Sequence, residues 1–76
     1  MIHIHLYGEL TDIVGKEKIE MSSFQSLRKC LDALKEEFPS LNSKVYRVAL
    51  NNEIIDEDVQ LKQGDIIALM PPFAGG

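Results

Sequence analysis

Three groups in this chain carry atoms that can do chemistry: the lone thiol of Cys30, the imidazoles of His3 and His5, and the carboxylate at the end of the run "LMPPFAGG". A reactive thiol needs a cation, a base or a helix N-terminus beside it to lower its pKa. Cys30 instead sits inside "SLRKCLDALK", one step from a stripe of leucines, and reads as a small buried hydrophobe. His3 and His5 share one face of a strand and make half of a metal site. No third ligand stands at a matching spacing, so no metal is expected. The sequence has no glycine-rich phosphate loop in a βα unit and no Ser/His/Asp set arguable from spacing.

The closing run is different. Pro71 and Pro72 have no N–H to continue a sheet ladder, and they bias the chain toward stiff polyproline II. Residues 71–76 then reach at most about 20 Å from the domain. After Phe73 and Ala74, the last positions, Gly75 and Gly76, have no side chains and can enter a channel too narrow for anything else. This geometry suits delivery of a terminal carboxylate into another protein; the bland alternative is a frayed end. A carboxylate with a pKa near ~3.5 is ionised at neutral pH and is a poor electrophile. It must be activated, for instance as an acyl-adenylate, and with no cysteine nearby any cargo sits on the carboxyl of Gly76 itself.

The elements that position the tail can be read from periodicity. "MIHIHLY" alternates, with Ile2, Ile4 and Leu6 on one face and His3, His5 and Tyr7 on the other. "ELTDIV" is a short helix closed by Gly15, and "KEKIEM" is a second strand antiparallel to the first. Leu27, Leu31, Leu34 and Phe38 form an amphipathic stripe over "SSFQSLRKCLDALKEEFP", capped by Ser22 or Ser23 and stopped by Pro39. "KVYRVALN", "NNEII" and "IIALM" complete the strands. The order β, β, helix, β, short β, β, with the first and last strands parallel at the centre, predicts an α+β, ubiquitin-like β-grasp, a mixed sheet packed on one main helix. Residues 1–76 are expected to form one domain, with 71–76 as an extended, flexible tail.

Composition narrows the function. A formal net charge of -4 argues against nucleic acid and against anionic membranes as partners. The N-terminus has neither the basic nor the long apolar region of a signal peptide, and no apolar run approaches the ~20 residues of a membrane span. One cysteine does not make a disulfide framework, so a cytoplasmic protein is expected.

A single helix covers one face of the sheet. On the other face, parity places Tyr7 from the first strand and Ala68 and Met70 from the last, with Ile54 or Ile55 beside them. Such a contiguous apolar patch marks a partner surface on a small protein.

The stretch "LNNEIIDEDVQLKQGDIIALMPPFAGG" resembles the C-terminal half of the sulfur-carrier small subunit of molybdopterin synthase. The resemblance rests on the Asn-rich turn, the Leu-x-x-Gly-Asp turn, the apolar strand and the terminal "PP-x-x-GG", and the opening strand and the helix ending "EEFP" extend it over the whole chain. Thiamin-pathway sulfur carriers share the fold and the Gly-Gly end but typically lack the Pro-Pro. The resemblance implies that a ubiquitin-activating-like adenylyltransferase uses ATP to adenylate Gly76, with no cofactor bound by this chain. A sulfur donor, such as a cysteine desulfurase or a rhodanese-like protein, then converts Gly76 to a thiocarboxylate. The large synthase subunit takes Pro71, Pro72, Phe73, Ala74 and Gly75 into its active site and supplies the catalytic side chains, and sulfur passes to precursor Z (cyclic pyranopterin monophosphate). Tyr7, Ile54 and Met70 fall on the family's hydrophobic contact positions. The family commonly has an Arg-Glu pair after the first strand, where this chain has Thr11-Asp12. A ubiquitin-like binding module or modifier without sulfur chemistry is the competing class.

Overall fold

Strand β1 (Ile2–Leu6) sets the frame of the computed structural model, which describes residues 1–22 and 25–72. Its alternation appears directly as burial, with Ile2, Ile4 and Leu6 inside and the two histidines half-exposed. Helix α1 (Glu9–Val14) buries Leu10 and Val14 and is closed by Gly15 in the left-handed region, φ 86°. Strand β2 (Lys18–Met21) returns antiparallel to β1.

Helix α2 (Leu27–Glu37) starts later than the leucine stripe alone suggests. Its cap is Ser26, not Ser22 or Ser23: the Ser26 side chain accepts from the Lys29 backbone N–H at 3.2 Å. Ser26 is held extended by a bridge to Gln60, and flanking bonds from Leu27 N to Val59 O and Leu61 N to Gln25 O tie the polar loop to the helix start. Ser23 lies outside the described residues. Phe38 ends the helix, and Pro39–Ser43 form a 3-10 turn that buries Leu41.

Strands β3 (Arg47–Leu50) and β4 (Glu53–Ile54) are joined by Asn51 and Asn52 at φ 50° and 71°. Positive φ at both central residues is the type I′ hairpin turn, and asparagine tolerates it. Strand β5 (Ile66–Met70) closes a five-stranded sheet in the order β2-β1-β5-β3-β4. The β1–β5 pair is parallel; the other pairs are antiparallel. This is the α+β β-grasp expected from the element order.

Register stacks the inner face in rows: Ile19, Ile4, Ile67 and Leu50 in one, Leu6, Leu69 and Val48 in the next. These pack with Leu27, Cys30 and Leu34 of α2 in one core cluster. Truncating one such leucine to alanine costs about 2–5 kcal/mol, a large share of the ~4–11 kcal/mol that holds a chain of this size. Among the described residues no helix is long and apolar enough to cross a membrane.

Candidate functional site

The outward parity of the same strands builds the face opposite α2. Across it runs a row of Lys18, His5, Ala68, Ala49 and Ile54. A second row pairs Met70 with Arg47, and Tyr7 continues β1 toward that end. Tyr7, Ile54 and Ile66 are 49%, 50% and 40% exposed, far more than the inward Ile67 and Leu69, which are fully buried. Ala68 and Met70 are half-buried. Ala49 is buried although it points outward, because its small side chain lies between Ile54 and Ala68 in the row. The patch is therefore apolar at its centre and charged at its edges. Arg47 borders one side, and a His3 Nδ1 to Glu20 Oε2 pair at 3.4 Å borders the other. Of the two adjacent isoleucines, Ile54 is the exposed one; Ile55 packs against the core.

Patch and tail meet at one end of the sheet. The Tyr7 N–H donates to the Leu69 carbonyl at 3.2 Å, and Pro71 follows one residue beyond Met70. Pro71 is half-buried and Pro72 exposed. The Pro71 ring lies over Gly8, where a β-carbon would come within 2.7 Å of its Cγ. Phe73, Ala74, Gly75 and Gly76 lie outside the described residues.

The other candidates do not join this site. Cys30 is fully buried on α2, and burial pushes its thiol up to about 11. Among the described residues no three His, Cys, Asp or Glu side chains gather as metal ligands. A groove of about 650 Å³ opens between α2 and β3–β4, with Leu31 and Tyr46 among its lining and Arg28, Lys35, Asp32 and Asp56 also bordering it. Asp65 anchors the turn before β5: its carboxylate accepts from Lys62 N at 2.7 Å and Asn51 Nδ2 at 3.1 Å. The Lys62 N–H first, then the Asn51 amide and the Lys62 charge, hold its pKa below the usual value.

The ThiS family matches residues 4–76, nearly the whole chain. The chain belongs to the ThiS family. The molybdopterin synthase sulfur carrier subunit of Dictyostelium discoideum is 33% identical over 84 residues, spanning 96% of this chain and 93% of its own. A Helicobacter pylori complex of subunits 1 and 2 of molybdopterin-converting factor contains a chain with TM-score 0.74 and 29% identity, matched over 99% of this chain and 97% of that one. Small archaeal modifier protein 1 of Methanosarcina acetivorans has the same fold, with TM-score 0.85 and 19% identity over 99% of this chain and 95% of its own.

Within this ThiS-family chain the structure brings Tyr7, Ala68, Met70 and Ile54 onto one surface beside Pro71, as the parity argument expects. Sequence reasoning missed that Gly8 lies against Pro71 at the root of the tail. Its only local signal was the glycine that ends β1, which reads equally well as a strand breaker. Arg47 was also missed; its parity with Met70 follows only once the β3–β5 register is known.

Proposed function

We propose that this chain is the sulfur-carrier small subunit of molybdopterin synthase, acting in the cytoplasm. The observation that carries the reading is the continuity of the outer apolar patch with the root of the tail: Met70 belongs to the first and Pro71 to the second. A partner covering Tyr7, Ile54, Ala68 and Met70 then receives Phe73 to Gly76 directly. The name of the Dictyostelium relative and the two-subunit Helicobacter assembly support that partner as a large synthase subunit.

The chemistry follows from the inertness of a carboxylate. An oxygen of the Gly76 carboxylate attacks the α-phosphorus of ATP in the adenylyltransferase and displaces pyrophosphate. The outer sulfur of a persulfide on the donor protein adds to the acyl carbon and displaces AMP, giving an acyl disulfide. A thiol then reduces the S–S bond to release the donor and leave a thiocarboxylate. In the large subunit that sulfur displaces an oxygen substituent from a carbon of the pterin precursor, the oxygen leaving as water with a proton from the partner's acid–base groups. Water then cleaves the acyl carbon–sulfur bond and restores the carboxylate for another cycle. This chain contributes the carrier atom, the tether and the docking face; acid–base groups belong to the partners.

Intact-mass measurement tests the reading. Incubation with the activating enzyme, ATP and a sulfur donor is expected to add about 16 Da, sulfur in place of one carboxylate oxygen. Deletion of Gly76 is expected to abolish the gain and leave the fold intact. Lysine isopeptide adducts without the mass gain would overturn the reading in favour of a modifier. Sulfur transfer by the truncated chain would overturn the role of Gly76.

A further inference from the structure

Gly8 is held where it is from two sides. Tyr7 completes the parallel ladder through its bond to Leu69 O, and the first turn of α1 bonds back through Leu10 N to Tyr7 O and Thr11 N to Gly8 O. The Thr11 hydroxyl adds a bond to Leu6 O at 3.0 Å. The turn is therefore a fixed platform. Gly8 itself has φ 58° and ψ -139°, a conformation that suits glycine. Its bare Cα faces the Pro71 ring, with the Cγ at 2.7 Å and the Cδ at 3.4 Å from where a β-carbon would stand. A β-carbon needs at least 3.4 Å for ordinary contact, so any side chain must push the ring by about 0.7 Å (3.4 − 2.7).

We propose that Gly8 is a positioning residue for sulfur transfer: it is the seat of the Pro71 ring, and the seat sets the direction in which the tail leaves the sheet. The inference rests on the sulfur-carrier reading above. It also gives α1 a task. With Thr11-Asp12 in place of the Arg-Glu pair, Thr11 serves the platform through its bond to Leu6 O. When the apolar patch is docked and the tail tip is bound in the partner, both ends of the tail are fixed. A ring moved off its seat then misplaces the reacting atom, and misplacement on the scale of an ångström costs up to about a hundredfold in rate.

The test uses full-length chains bearing a C-terminal thiocarboxylate, made by cleaving an intein thioester with sulfide so that adenylation is bypassed. Single-turnover sulfur transfer is measured at saturating large subunit, with affinity and melting temperature measured separately. Gly8→Ala is expected to slow transfer at least tenfold at saturation, with a smaller change in affinity, because the patch is untouched. Pro71→Ala, which removes Cγ and Cδ, is expected to slow it only about threefold, since the tail loses its seat but Pro72 still stiffens it. The double variant should match Pro71→Ala in rate while keeping the lower melting temperature of Gly8→Ala. That non-additivity is the mark of a shared contact and separates aiming from backbone strain.

A Gly8→Ala chain that transfers at the wild-type rate at saturation overturns the seat alone, as does a double variant as slow as the product of the two singles. If Gly8→Ala does not fold, Pro71→Ala decides, and a wild-type rate in it overturns the proposal. A wild-type thiocarboxylate that transfers no sulfur overturns the carrier reading, and the positioning role falls with it.

Discussion

Replacing Met70 with glutamate is the most informative perturbation of the proposed docking face. Met70 is half-buried in the free chain, on the outward side of β5 and directly across from Arg47. A partner that covers it loses about 1 kcal/mol of apolar burial when the thioether becomes a carboxylate. Taking that carboxylate out of water without a full set of partners costs several kcal/mol more. Arg47 offsets part of this, by about 0.2–1 kcal/mol for an exposed cross-strand ion pair. The balance is about 3–4 kcal/mol, or roughly 100- to 1,000-fold in affinity for the large subunit. The isolated chain should lose no more than about 1 kcal/mol, the span of strand propensity, because the same side chain is not among those packed on the core. That corresponds to a melting shift of at most ~8 °C for a domain of this size. Titration calorimetry against the large subunit and a thermal melt of the free chain measure the two quantities. Affinity within threefold of wild type would refute the docking face. A melting temperature lowered by much more than ~10 °C would show that Met70 belongs to the core.

Other perturbations probe the tail, the core and the turns. Replacing both Pro71 and Pro72 by glycine adds freedom that must be lost on docking, at ~1–2 kcal/mol per residue. Calorimetry with the large subunit should show about a 30-fold loss, the lower end of that range. Cys30 should react with a thiol reagent at pH 8 only as fast as the chain unfolds, and a rapid reaction would contradict its burial. Its raised pKa has a definite consequence. Between the ordinary value of 9.0 and about 11 the unfolded chain loses a proton that the folded chain keeps, so stability falls as pH rises through that window. Asp65 acts on the acid side. Its pKa is lowered from 3.8, so its contribution is present above that value and is lost as pH falls through the folded one. In acid titrations followed by circular dichroism, Asp65→Asn should remove that part of the acid limb. Asn51→Ala should destabilise the chain by about 1–3 kcal/mol, since it leaves the Ile66 N–H without its 3.0 Å acceptor and forces φ 50° on alanine. Urea unfolding measures that loss.

What could be read from the sequence was whatever repeats with a short period. Alternation in "MIHIHLY" and "IIALM" identified both faces of the sheet, because a strand presents every second side chain to the same side. Helix α2 was legible as an element but its details were not. Ser22, Ser23 and Ser26 all satisfy the chemistry of a cap, and the choice of Ser26 depends on the distant Gln60 bridge. Cys30 is fully buried, as its place beside the leucine stripe suggests, but Leu31 of the stripe itself is half-exposed along the groove beside β3 and β4. The helix is rolled slightly toward its cysteine, and only the placement of the edge strands fixes that roll. The polar run "DEDVQLKQGD" hid a further role: Val59 and Leu61 pack on the core, and the Asp58 carboxylate accepts from the Arg28 N–H at 2.9 Å.

The link least visible in the sequence is the one that joins fold to function. Gly8 and Pro71 stand at opposite ends of the chain, and nothing local in either predicts the other. Their contact follows from the direction of one strand pair. Because β1 and β5 are parallel, Leu6 aligned with Leu69 places the residues that leave both strands at the same end of the sheet. An antiparallel pairing would put the turn after β1 at the opposite end from the tail, and no residue near Gly8 could aim it. Parallel neighbours in turn require a long crossover. Here the crossover carries α2, and α2 covers the inner face, which leaves the outer face beside the tail root free for a partner. One topological choice therefore places the helix on one side and the docking patch on the other, with the tail seat at the end they share. On the proposed reading the sulfur chemistry needs only the last few atoms of the chain, and the strand pairing sets the end of the sheet from which Pro71 starts them.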